Sequence, residues 1–229
     1  MEDNEIISKA HMPEHSEDYM EASVAGWQYS CARVISAVCT PFFIPVTAFG
    51  LLFFFTYLSI MPIAYKLTII SMVVSFTVLL PMLGIYMLRK VNKWQKNALD
   101  YKENRILPYG MTILCYTTCL LTMHNMHLPH YMMGIIISIL ICMILCTIIN
   151  LKWKISTHMA SCGLLIGGLV TFSNIFFFNP AIWLSIFILI SGLVGTSRII
   201  VRKHTLGEVA VGFFAGLLCG MSGILYIYL

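Results

Sequence analysis

The chain reads as an all-α membrane protein, a polytopic bundle of about six to seven transmembrane helices, and three observations predict this. First, 59% of its 229 residues are hydrophobic and only 10% are charged, where a soluble domain carries about 25% charged residues. The mean hydropathy of +0.86 points the same way. Second, several apolar runs reach or approach the roughly 20 residues that a helix needs to cross a bilayer. Third, the basic residues fall almost entirely between those runs, as expected when a charge inside hydrocarbon costs several kcal/mol.

Residues 1–32 form an acidic N-terminal tail. Glu2, Asp3, Glu5, Glu14, Glu17, Asp18 and Glu21 face only Lys9 before Arg33. The acidic start, with no apolar stretch directly after it, argues against a cleavable signal peptide. The end of the tail, from Tyr19 to Val34, has the composition of an interfacial helix, with Met20, Val24, Trp27 and Tyr29 as apolar contacts. Residues 33–229 make one transmembrane domain. Its apolar runs lie at 35–58, 66–88, 109–124, 131–150, 159–178, 181–196 and 208–229, of which 109–124 and 181–196 are short. Pro62, Asn179-Pro180 and the stretch from His124 to His130 separate the runs.

Charge gives the topology. Arg89, Lys90, Lys93, Lys96, Lys102 and Arg105 precede the third run, Lys152 and Lys154 precede the fifth, and Arg198, Arg202 and Lys203 precede the last. Two runs separate each basic segment from the next, so an even number of crossings brings all three to one membrane surface. The positive-inside rule makes that surface cytoplasmic, together with the N-terminus. The eight cysteines sit in or beside apolar runs and read as packing residues. His124, His127 and His130 belong to the opposite surface, and Pro129 breaks the helix that would align them. Gly212, Gly216 and Gly220 form a stripe of small residues suited to close helix packing within the protomer, or, second, to dimerisation.

The candidate chemistry lies on the basic surface. After Glu103 the only acidic residue is Glu208, four residues beyond His204 and therefore on the same helical face. A carboxylate there would orient the imidazole as nucleophile or base. Arg198, six residues before His204, is a planar donor suited to phosphate oxygens. Ser156, Thr157 and His158 open another span, where free backbone amides favour anions. Lys102 and Arg105 are three residues apart and share a helical face, with Pro108 marking a helix start. Together these groups suit phosphoryl transfer: cations neutralise the phosphate, one histidine attacks and the other protonates the leaving oxygen.

Ser197-Arg198, five residues, His204, three residues and Glu208 resemble the third signature of the type 2 phosphatidic acid phosphatase superfamily, which is Ser-Arg, five residues, His, three residues, Asp. Ser156-Thr157-His158 resembles its second signature, Pro-Ser-Gly-His, and Lys102 to Pro108 resembles its first, a lysine upstream of Arg-Pro. The resemblance covers about the last 130 residues. It implies a metal-independent, cofactor-free lipid phosphatase acting on a phosphomonoester or pyrophosphate through a phosphohistidine. His204 would be the nucleophile, Glu208 its orienting partner and His158 the general acid. Lys102, Arg105, Ser156, the Thr157 amide and Arg198 would hold the phosphate. The implied partners are a phosphorylated lipid and membrane lipids, with no nucleic acid, in a bacterial cytoplasmic membrane.

This chain departs from the pattern at Glu208 for Asp, Thr157 for Gly and Ile155 for Pro, and the usual lysine position is Ala98. Lys102 takes that place, with Lys96 as the rival. Two other classes remain open: a membrane redox protein with His158 and His204 as axial haem ligands, and an anion transporter, which would call for charge near the bilayer midplane.

Overall fold

The structure, a computed structural model, describes residues 26–55, 57–91 and 106–228. Among the described residues every regular element is helical, and six helices are long and apolar enough to cross a membrane. The chain is a multi-pass, all-α membrane protein. Helices suit this solvent because they satisfy their backbone polar groups internally.

The first span, Gly26–Phe54, joins α1 (Gly26–Val38) to α2 (Ile44–Phe55) through a 3-10 turn at Pro41–Phe43. Pro41 causes the break: it has no amide hydrogen and holds Thr40 extended, at φ −74° and ψ 147°. The helix is described from Gly26, inside the stretch read from the sequence as tail and interfacial segment, and α1 packs along the helix Ala181–Ile200. The second span, Ile63–Val91, runs from α3 (Ile63–Val74) through a π segment (Ser75–Leu79) into α4 (Leu80–Val91). There the Leu80 N–H bonds the Ser75 carbonyl, five residues back. Pro81 follows and cannot donate to the preceding turn, which accounts for the local widening.

The remaining helices are α5 (Ile106–Asn125), α6 (His130–Lys152), α7 (Thr157–Phe176), α8 (Ala181–Ile200) and α9 (Leu206–Tyr228). The runs at 109–124 and 181–196, short in the sequence, lie within helices of 20 residues each. Of these five helices only α5 is not among the six apolar spans. Its threonines do not leave polar groups bare. The hydroxyls of Thr112, Thr117, Thr118 and Thr122 each bond a carbonyl four residues back, at 2.8–2.9 Å.

α7 is the central helix, with Cys162 to Leu169 buried without interruption. Its closest neighbour is α9. A Cβ at Gly216 would collide with the Ala160 carbonyl, one at Gly220 with that of Leu164, and one at Gly212 would lie 2.6 Å from that of Ser156. From the other side, Gly163 and Gly167 admit the carbonyls of Phe213 and Leu217. The glycine stripe thus makes a backbone-to-backbone seam inside the protomer. All eight cysteines are free thiols, six of them buried as packing residues. His124 ends α5, His127 occupies the turn at φ 53° and His130 begins α6, and all three are exposed.

Candidate active site

The turn between α8 and α9 shapes the site. The Val201, Arg202 and Lys203 amides bond the carbonyls of Ser197, Ile199 and Arg198 at 3.0, 2.9 and 3.2 Å. Arg202 takes the left-handed conformation, φ 53°, which glycine usually supplies at a helix end. This reversal carries His204 back into the bundle, where it is 6% exposed.

Thr205 then caps α9: its Oγ1 accepts the Glu208 N–H at 3.4 Å. Thr205 and Glu208 have the spacing of a capping box, in which the glutamate normally returns to the cap residue's amide. Here the carboxylate turns to His204, with Nδ1 and Oε2 2.7 Å apart and side-chain exposures of 1% and 11%. A carboxylate can only accept, so Nδ1 carries the proton and Nε2 the reactive lone pair. The pairing expected from the four-residue spacing is made. Glutamate suits it because side chains tilt toward the helix N-terminus, and this one must reach back a full turn.

Arg198 stands in the last turn of α8, and its Nη1 donates to Ser36 Oγ on α1 at 2.7 Å. Ser197, beside it, is buried and bonds the Val194 carbonyl at 2.7 Å, so it serves the helix itself. At the start of α7, Ser156 occupies the cap position without capping. Its N–H donates to the Glu208 carbonyl at 3.3 Å, which, with the close approach at Gly212, docks the first turn of α7 on that of α9. The Ser156 hydroxyl is fully buried and has no hydrogen-bond partner among the described residues.

A cavity of about 290 Å³ is lined by Thr157, His158, Arg198 and His204 together. Pro108 and Tyr109 of α5 join them, while Ile44, Ile85, Ile139, Met143 and Leu164 line its apolar part. The N-terminal turns of α5 and α7 and the residues just before α9 therefore meet at one end of the bundle, as the two-span spacing of the basic segments predicts. Their aligned peptide dipoles favour an anion there.

Ser156 and Glu208 are not in the lining; they stand behind it, Glu208 against His204 and Ser156 against Glu208. The hydroxyl expected to hold phosphate is thus buried away from the cavity, and Ser156 joins the two helices through its backbone instead. Lys102, Arg105 and the rival Lys96 lie outside the described residues. Three further contributors escaped the sequence reading. Thr205 was legible from its capping spacing to Glu208. Ser36 and Tyr109 carry no local signal, since only the fold brings them to the site.

The arrangement can bind an anion and attack it: a buried imidazole backed by a carboxylate lines one cavity with a second imidazole and a guanidinium. No family profile, characterised protein or solved structure matches the chain.

Proposed function

We propose that the chain is a metal-independent membrane lipid phosphatase of the type 2 phosphatidic acid phosphatase kind. The observation that carries this reading is the cavity lined together by His158, Arg198 and His204, with Glu208 bonded behind the nucleophile. The apolar residues of the same lining support a lipid substrate, whose chain can contact them while the phosphate meets the polar groups.

In the first step His204 Nε2 attacks phosphorus, the bond to the leaving oxygen breaks and His158 gives that oxygen a proton. Glu208 stabilises the positive imidazole that forms, and Arg198 with the Thr157 amide holds the equatorial phosphate oxygens. Lys102 and Arg105 add positive charge in this reading. In the second step His158 takes a proton from water, the hydroxide attacks the phosphohistidine, and inorganic phosphate leaves with His204 restored. The reading places the chain in a bacterial cytoplasmic membrane with the site on the cytoplasmic side.

The test is phosphate release from a panel of lipid phosphates and pyrophosphates in EDTA. Activity is expected to survive EDTA and to fall at least about a hundredfold in His204→Ala, the scale of losing a nucleophile. Strict metal dependence would overturn the mechanism. Anion uptake that requires His204, with no phosphate released from any lipid, would favour a transporter.

A further inference from the structure

We infer that Ser36 is a positioning residue for Arg198, setting the guanidinium for phosphate without neutralising it. The inference rests on the phosphatase reading for its consequence in catalysis, though the contact itself stands apart from it.

Ser36 is 162 positions from Arg198 and 9% exposed, and its Oγ accepts Nη1 at 2.7 Å. Arg198 lines the cavity and Ser36 does not, so the serine holds the arginine from behind. The usual habit of hydroxyls in this chain is different. Ser30 on the same helix, and Thr47 on the next, bond the carbonyl four residues back at 3.0 and 2.9 Å. Ser36 instead accepts from a charged side chain on another helix. Four residues on, the same segment reaches Thr40, Pro41 and Phe42, which are part of the cavity lining. The contact therefore ties Arg198 to the rim that the first span builds.

The choice of group matters. An unrestrained arginine must be ordered when phosphate binds, and fixing one N–H in advance removes part of that cost. A carboxylate would fix it too, but its charge would compete with the phosphate. A hydroxyl orients the fork and leaves the full positive charge available.

The experiment measures phosphate release and, separately, calorimetric binding of inorganic phosphate to the purified full chain in detergent. Ser36→Ala is expected to raise KM and weaken phosphate binding about tenfold, with kcat changed less than about threefold, the scale of one hydrogen bond to a charged group. Ser36→Thr should restore both, and Ser36→Asp should bind phosphate more weakly than Ser36→Ala. In an Arg198→Ala background Ser36→Ala should change neither quantity further. A Ser36→Ala protein that loses thermal stability but keeps its KM and phosphate affinity overturns the inference, as do additive effects in the double variant. If no lipid phosphate is hydrolysed yet Ser36→Ala still weakens phosphate binding, the phosphatase reading fails and the positioning role holds.

Discussion

Under the phosphatase proposal, replacing Glu208 by glutamine tests whether the buried pair tunes the nucleophile or only fills space. The side chain keeps its length, so the perturbation is the loss of charge. The contact it alters is 2.7 Å long and nearly closed to solvent, conditions under which a hydrogen bond to a charged group contributes about 1.5–3 kcal/mol against about 0.5–1.5 for a neutral one. The imidazole becomes positive as the phosphorus–nitrogen bond forms, so the lost charge is felt most in the transition state. The difference, about 1–1.5 kcal/mol, at 1.36 kcal/mol per tenfold, lowers kcat by roughly 5- to 13-fold. Glu208→Asp keeps the charge but withdraws it by one carbon–carbon bond, about 1.5 Å, which opens the contact to about 4 Å and beyond hydrogen-bond reach. Its expected loss is smaller, roughly two- to fivefold. The assay is steady-state phosphate release in detergent, with thermal denaturation of each variant alongside. A Glu208→Gln enzyme within about twofold of wild type, beside an inactive His204→Ala, would refute the reasoning.

Two further outcomes follow from the packing. Gly216→Val would press a side chain into the Ala160 backbone, whose carbonyl carbon lies 2.6 Å from the Cβ position. Thermal stability should fall by at least about 1–3 kcal/mol and phosphate release should fall with it, whereas Gly192→Ala, with nothing within 4 Å, should leave both intact. Arg202→Gly relieves a left-handed residue but loosens the unfolded chain, so stability in a denaturation assay should be unchanged or higher by up to about 1 kcal/mol; full activity would show that the Arg202 charge plays no part in the site.

The legible part of this protein is what charge and periodicity encode. An acidic residue is costly in a bilayer, so Glu208 standing alone after Glu103 pointed to a partner, and the structure supplies His204. The even spacing of the basic segments pointed to one common surface, and one cavity receives residues from α5, α7, α8 and the turn before α9. Less legible was whatever depends on contact across the fold. The Ser156 hydroxyl looked like a phosphate ligand because it opens a helix, yet the close approach of α9 encloses it. The bond from Ser36 to Arg198 leaves no periodic trace, since its two residues are 162 positions apart.

The seam between α7 and α9 bears on how the site meets its surroundings. His158 is in the first turn of one of these helices and His204 lies two residues before the other, and along the glycine seam the two backbones touch directly. When bilayer thickness changes, a bundle responds by tilting and sliding its helices, and movement is easiest where long side chains interdigitate. The separation of the two imidazoles is instead fixed by main-chain contact, like two jaws cut from one block. In the phosphatase reading, lipid composition can then alter how a substrate reaches the cavity while leaving the spacing between nucleophile and acid unchanged.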